Sequence, residues 1–310
     1  MNSSLRRYAW LWTIWITLAV YLLFFIKQDY YSSRSAQAVW DLGHFVIFFI
    51  FVSLVCLTGS LFVRLTALKQ FAVVFILILL IGAGVEFVQS GMHRSASLED
   101  VWLDLLGGIL AWLLLSPSLR HNTHSRHWLK VMAVVIVFIA VWPTTAMLYD
   151  EYRAERTLPL LSGVEDSLEL TRWVSQYELT IQQEVKKEGC CALKLTARGG
   201  DYVSAKLQYF PDRWREYTGL RLDIYIPDPE PVLIGISIYN DPRNENRYVW
   251  PGLAMHRYPV KPGWNTLELA YAAQINRPST AMAPIRGVIV FIEKPRIGQT
   301  IYIDNVRLVK

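Results

Sequence analysis

Apolar residues run almost unbroken through five stretches of the chain, about 8–26, 40–58, 71–90, 98–115 and 129–148. Each reaches the roughly 18 to 20 residues that a helix needs to cross bilayer hydrocarbon. No soluble core accounts for five such runs in succession, so the pattern predicts a five-helix transmembrane bundle. Near residue 150 the pattern changes. Short runs that alternate apolar and polar positions follow, at Tyr177–Val185, Cys190–Ala197, Ser204–Tyr209, Gly219–Ile226, Leu233–Tyr239, Trp264–Leu269, Gly287–Phe291 and Thr300–Leu308. Turn-forming groups separate them, among them Arg198-Gly199-Gly200-Asp201, Pro227-Asp228-Pro229 and Lys261-Pro262-Gly263. About eight strands at this spacing predict an all-β jelly-roll sandwich. The expected architecture is multi-domain α and β: a bundle over 1–149, a linker over 150–164 and a β-sandwich over 165–310.

Composition adds two constraints. The hydrophobic content of 53% is concentrated before Leu148, and the net charge of +5 is modest. Several basic residues lie between apolar runs, where they orient a membrane protein, so nucleic acid is not an expected partner. Arg6, Arg7, Arg64, Lys69, Arg120, Arg126 and Lys130 fall on one side of a five-span layout, and Lys27, Arg34, Arg94, Arg153 and Arg156 on the other. The richer side is expected to be cytoplasmic, which puts the N-terminus inside and everything after residue 149 outside. The first run follows Arg6 and Arg7, and Ala36-Gln37-Ala38 resembles a signal-peptidase site. That run is longer than a signal core and ends well before the site, so it is expected to be retained.

The few ionisable residues of the spans are clustered. Asp41 and His44 open the second run, Glu86 and Gln89 close the third, Arg94 lies in the connection, and Asp100 and Asp104 open the fourth. Such residues are costly in hydrocarbon unless paired or hydrated. Spacings of three and four place each pair on one helix face, and Gly82, Gly84, Gly107 and Gly108 allow close helix approach. A polar membrane pocket at the outer face is expected. By residue type, His44 or Glu86 is suited to carry a proton and Arg94 to clamp a phosphate. Polar pairs that simply tie the helices together are the plainer alternative. His121, His124 and His127 lie in a basic loop with no acidic or Cys partner, and are expected to be solvated.

The series Trp40-Asp41-Leu42-Gly43-His44-Phe45, Glu86-Phe87-Val88-Gln89, Arg94 and Asp100-Val101-Trp102-Leu103-Asp104-Leu105-Leu106-Gly107-Gly108 resembles the VanZ-like family of bacterial membrane proteins. The resemblance covers roughly residues 10 to 115. It departs at Asp104, where the family usually has Asn. It implies a multi-pass protein of the bacterial cytoplasmic membrane, with an accessory role at the cell envelope in a family linked to glycopeptide-antibiotic resistance.

In the second half, Lys261-Pro262-Gly263-Trp264-Asn265-Thr266-Leu267 and Ile301-Tyr302-Ile303-Asp304-Asn305-Val306-Arg307-Leu308 resemble the galactose-binding-like jelly rolls of carbohydrate-binding modules. Sugar-binding sandwiches present aromatic rings to pyranose faces beside polar groups. Trp214, Tyr217, Asn240, Tyr248 and Trp250 are the candidates, whereas Trp173 and Trp264 are expected in the core. Asp304 is expected to fix a turn, hold a structural calcium or touch a sugar. No other cofactor is expected. Cys190 and Cys191 are read as strand residues, because adjacent cysteines bridge each other poorly; a redox pair or an intermolecular bridge is the alternative.

Three functional classes remain. The first is a cell-envelope protein that binds a lipid-linked saccharide or surface glycan, with membrane lipids around it. The second is an enzyme acting on a lipid-linked phosphate or saccharide head group. The third is a structural partner of another envelope protein.

Overall fold

The computed structural model describes residues 3–21, 33–90, 97–120, 123–239, 254–272 and 285–310. The chain divides into two units, Met1–Ala146 and Met147–Lys310. Up to Thr157 the described residues form α1 (Ser3–Val20), α2 (Arg34–Thr58), α3 (Ala67–Ser90), α4 (Leu98–Leu115), α5 (Pro117–Arg120) and α6 (Thr123–Thr157). That is six helices where five were expected. The addition is the single turn α5, opened by Pro117 at a position where a missing N–H costs nothing.

Local chemistry sets several boundaries. The Ser33 hydroxyl accepts the Ala36 N–H at 3.2 Å to start α2, and Ser97 accepts those of Glu99 and Asp100 at 3.1 and 3.4 Å to start α4. Helix α1 docks on α2 through Trp12, whose indole donates to Thr58 Oγ1 at 3.2 Å, and Trp15, which donates to the Ile47 carbonyl at 3.1 Å. Helices α2 and α4 cross closely because Gly107 lies against the Phe45 backbone and Gly108 against Val52 and Ile78. Phe48, Val52, Ile78 and Ala111 fill the space between the helices.

The outside of this unit is apolar, with Leu68, Leu80 and Phe87 each more than two-thirds exposed. Among the described residues three helical segments, Arg34–Thr58, Ala67–Val88 and His127–Thr157, are long and apolar enough to cross a membrane. This marks a membrane protein. The described apolar part of α1, Ala9–Val20, is shorter, and α4 carries Glu99, Asp100 and Asp104 within 18 residues.

The second unit is a β-sandwich. Its strands are β1 (Leu160–Ser162), β2 (Trp173–Val174), β3 (Glu178–Gln182), β4 (Ala192–Thr196), β5 (Tyr202–Leu207), β6 (Gly219–Ile226), β7 (Val232–Tyr239), β8 (Ala254–Val260), β9 (Gly263–Ala270), β10 (Gly287–Glu293) and β11 (Thr300–Val309). One sheet runs β3-β4-β11-β6-β9, with β1 also on β11, and the other runs β2-β5-β10-β7-β8. All pairings are antiparallel. Inward residues such as Leu193, Leu222, Ile224, Ile236, Val290 and Ile303 form one continuous core between the sheets.

The segment 150–164 is not the linker expected. Helix α6 continues to Thr157, and Leu160–Ser162 is strand β1. The reason is a buried ion network. Arg172, 1% exposed, donates to both carboxylate oxygens of Asp150 at 2.8 and 2.7 Å and to the Leu161 carbonyl at 2.7 Å. Arg153, one turn on from Asp150, bridges it to Asp166, which also caps the single-turn helix α7 (Ser167–Leu170). The strand β8 was missed because Met255, His256, Arg257 and Pro259 are all exposed on an edge strand, so no apolar alternation marks it.

The cysteines are also corrected. Cys190 and Cys191 precede β4 and are bridged to each other. Their loop is held by Glu165, whose carboxylate accepts the Cys190 N–H at 2.7 Å and whose carboxylate occupies the space that a side chain at Gly189 (φ +63°) would need.

Candidate functional site

In the helical unit, four of the seven residues expected in the pocket are brought together from three helices. His44 projects from the first half of α2, Glu86 from the end of α3, and Asp100 and Asp104 from the start of α4. His44 Nδ1 lies 3.1 Å from Asp104 Oδ1, and its Nε2 lies 3.8 Å from Asp100 Oδ2. His44, Glu86 and Asp104 are buried. One Glu86 oxygen, Oε2, accepts the Ser97 N–H at 2.7 Å, which ties the end of α3 to the start of α4. Its other oxygen, Oε1, is buried without a hydrogen-bond partner among the described residues, as is Asp104 Oδ2.

Glycine makes this approach possible. A side chain at Gly82 would meet Asp104 Oδ2 at 2.7 Å, so α3 and α4 converge there only with a bare backbone. One donor atom each from His44, Glu86 and Asp100 falls within a 4.8 Å span. Asp41 sits one turn before His44 on α2, and Gln89 lies one turn beyond Glu86 on α3. Arg94 lies outside the described residues.

The opposite end of α3 and α4 holds a polar knot that the sequence reading missed. Gln70, fully buried, donates to the carbonyls of Phe62 and Leu65 at 3.1 and 3.2 Å and accepts from the hydroxyls of Ser116 and Ser118 at 2.5 and 2.7 Å. A lone Gln and two Ser at span ends carry too weak a signal to be read without the helix pairing.

In the sandwich, the expected glycan candidates divide. Trp214 is 2% exposed and packs against Phe210 and Tyr271 at ring-centroid distances of 5.1 and 5.4 Å, so its faces are not open to a sugar. Tyr217 also packs against the core. Asn240, Tyr248 and Trp250 lie outside the described residues. Trp173 is in the core as expected, but Trp264 is not.

Trp264 stands on the outer face of the β3-β4-β11-β6-β9 sheet, in a lateral row that the strand register defines: Thr180, Lys194, Tyr302, Tyr225 and Trp264 lie side by side across five strands. Tyr225 is 5.4 Å from Trp264 and 5.9 Å from Tyr302 between ring centroids, and all three rings are partly exposed. Lys187 Nζ sits 5.9 Å over the Trp264 ring. The strand period could have found this row. Leu267 and Leu269 are buried in β9, Leu222 and Ile224 in β6, and Ile301 and Ile303 in β11, so Trp264, Tyr225 and Tyr302 have outward parity.

The Lys261-Pro262-Gly263-Trp264-Asn265 segment that carried the jelly-roll resemblance is the turn between β8 and β9. The Asn265 amide donates to the carbonyls of Lys261 and Gly263 at 2.7 and 2.9 Å, and Gly263 takes φ +88°. The turn thereby presents Trp264 at the start of β9.

The other sheet's outer face is differently made. Phe291 lies over Gly235 and Tyr239 over Gly287, and Arg257 pairs with Glu293.

Asp304 fixes a turn. One of its oxygens accepts the N–H groups of Lys187 and Glu188 at 2.7 and 3.1 Å. Burial raises its carboxyl above the ordinary aspartate value, and those N–H groups act in the opposite direction. Among the described residues, the sandwich group whose donor atoms converge is Glu165 with Cys190 and Cys191. The disulfide occupies both of its sulfurs.

No protein-family model matches the chain, and no curated protein matches it. Solved structures similar to it include three carbohydrate-binding modules. The family 11 module from Clostridium thermocellum, in complex with a β-1,3-1,4-mixed-linked tetrasaccharide, is 15% identical over 48% of this chain and 94% of that one, with a TM-score of 0.35. A module specific for non-crystalline cellulose, CBM28, is 15% identical over 49% of this chain and 94% of that one, with a TM-score of 0.36. A mannan-recognising module, TmCBM27, is 19% identical over 47% of this chain and 93% of that one, with a TM-score of 0.32.

Proposed function

We propose that this is a cell-envelope membrane protein whose sandwich binds a glycan, carried either on the cell surface or on a lipid, at the outer face of the membrane. The observation that carries the reading is the row Tyr302–Tyr225–Trp264, three partly exposed rings on adjacent strands continued by Lys194 and Thr180. Rings offer apolar faces to the C–H faces of pyranoses, and an ammonium and a hydroxyl at one end supply hydrogen bonds to sugar hydroxyls. Successive rings are tilted by 58° and 66°, so the row is a turning platform and not a flat one. The resemblance of the turn and last strand to galactose-binding-like jelly rolls supports the same reading, that of residues 10 to 115 to the VanZ-like family supports an accessory envelope role, and the distribution of Lys and Arg between the apolar runs supports an N-terminus in the cytoplasm.

The test is a glycan screen of the full-length chain in detergent, followed by titration of Trp264→Ala and Tyr225→Ala. Each substitution is expected to weaken binding about tenfold, equivalent to about 1.4 kcal/mol. Retention of no glycan would favour a protein partner, and unchanged binding by both variants would remove the row from the site.

A second reading, an enzyme acting on a lipid-linked phosphate or saccharide head group, draws on the His44–Asp104 pair beside the unpartnered Glu86 oxygen. A buried imidazole with a carboxylate on one nitrogen is a suitable proton carrier. Loss of turnover of a lipid-linked substrate in His44→Gln, with glycan binding retained, would establish it.

A further inference from the structure

The cluster on α2, α3 and α4 has more acceptors than hydrogen bonds to fill them. Glu86 and Asp104 are each at least nine-tenths buried, and each has one oxygen with no partner among the described residues, Oε1 and Oδ2 respectively. Burying carboxylate oxygens without compensation is strongly unfavourable, and a bound cation is one of the few means of compensating it.

The imidazole is oriented for ligation. Asp104 Oδ1 lies 3.1 Å from His44 Nδ1, and in the neutral tautomer that donates from Nδ1 the Nε2 lone pair is on the side of Asp100, 3.8 Å away. A carboxylate holding the far nitrogen of a histidine is the usual support of a metal ligand. The donors of His44, Glu86 and Asp100 lie within 4.8 Å of one another. Ligand bonds of about 2.0–2.2 Å in tetrahedral geometry separate donors by about 3.3–3.6 Å, so the three donors would draw in by about an ångström on binding. Two ligand carboxylates neutralise a 2+ charge, and one nitrogen with two oxygens suits a borderline cation more than a purely oxygen-seeking one.

We propose that His44, Glu86 and Asp100 form a divalent-cation site of the Zn²⁺ or Mn²⁺ class, with Asp104 as the residue that positions His44. The site is independent of the glycan reading of the sandwich, and either stands if the other fails. The other converging group among the described residues, Glu165 with Cys190 and Cys191, is closed by its disulfide.

The experiment uses the full-length chain in detergent, without reductant, stripped with a chelator and titrated with Zn²⁺, then with Co²⁺ for its visible absorption. One equivalent is expected, with a rise in melting temperature and Co²⁺ bands in the visible. His44→Gln and Glu86→Gln are expected to lose more than tenfold in affinity along with the Co²⁺ spectrum, and Asp104→Asn to lose about 10- to 100-fold. The triple variant His121→Ala, His124→Ala, His127→Ala is expected to bind as the parent does. Metal-free melting temperatures of the Gln variants at or above that of the parent show that they fold; if they do not fold, the parent's stoichiometry and the triple variant decide. Absence of an equivalent of Zn²⁺ in the parent, unchanged affinity in folded His44→Gln and Glu86→Gln, or loss confined to the triple variant would each overturn the site.

Discussion

Helices α3 and α4 carry a polar cluster at each end, and the two clusters are built on opposite rules. At one end Gln70, Ser116 and Ser118 are neutral, and the Gln70 amide group is engaged at both its nitrogen and its oxygen. At the other, His44, Glu86, Asp100 and Asp104 are ionisable, and two buried carboxylate oxygens have no partner among the described residues. Saturated neutral polar groups are what helix association in a membrane requires. Unsaturated charged groups weaken the fold and are retained where something other than stability is served. The sandwich separates charge from saturation. There Asp150 and Arg172 are buried and charged, but the guanidinium donates to both carboxylate oxygens and to the Leu161 carbonyl. Saturation, and not charge, separates Gln70 and the Asp150–Arg172 pair from the candidate site, although Asp304, which fixes a turn, also keeps one buried oxygen without a partner among the described residues.

The largest effect is expected where charge and saturation are combined. Arg172→Ala removes the guanidinium that engages both oxygens of the buried Asp150, leaving it the Arg153 hydrogen bond at 3.0 Å, and should destabilise the second unit by about 3 kcal/mol, while the double replacement Asp150→Leu, Arg172→Met should recover part of the loss. Thermal melts of the full chain, followed through the sandwich transition, would check this. Equal losses in the single and double variants would show that the pair does not act as a unit.

Next comes the neutral knot. Gln70→Ala removes the partner of two carbonyls and two hydroxyls and should cost about 1–3 kcal/mol in detergent unfolding. Gly107→Ala should cost a similar amount, about 1–3 kcal/mol, because the added Cβ collides with the Phe45 carbonyl and forces α2 from α4. Gly84→Ala has nothing within 4 Å and serves as its neutral control.

Glu86→Gln should change stability by less than about 1 kcal/mol, or raise it, since it removes a buried charge that the fold leaves half unpaired. A loss as large as that of Gln70→Ala would place Glu86 with the structural residues and break the contrast.

The smallest effect is one of pH. Asp166 is held below the ordinary aspartate value chiefly by its hydrogen bond from Arg153, against opposition from partial burial. Its contribution to the second unit is present above the unfolded aspartate value of about 3.9 and is lost as pH falls through its lower folded value. Asp166→Asn should flatten the melting-temperature profile of the second unit below about pH 4, and an unchanged profile would assign the acid sensitivity to other carboxylates.

How far the sequence could be read differs by feature. Strands β6 and β11 were legible because Leu220, Leu222, Ile224 and Ile226, and then Ile301 and Ile303, alternate with polar or aromatic residues. Strand β8 was not, because an exposed edge strand has no buried face to imprint a period. His44, Glu86, Asp100 and Asp104 were legible as a group because ionisable residues within apolar helices are rare. Gln70 was not, because nothing in its neighbourhood separates it from the polar start of a helix. Trp214 and Trp264 were each misplaced. Trp214 sits in a short 3₁₀ turn with no period to read, and Trp264 opens a strand whose parity becomes clear only from Leu267 and Leu269.

By itself the sequence determined the two solvents: long apolar runs demand an apolar surround, and a two-residue alternation demands a sheet with one face buried. It also determined which ionisable residues would have to find company. Only the tertiary structure decided which company they found. Hydrogen-bond saturation depends on distances of a few tenths of an ångström between residues far apart in the chain, 60 positions in the case of His44 and Asp104. No local pattern records whether an oxygen at such a meeting point is filled or left open.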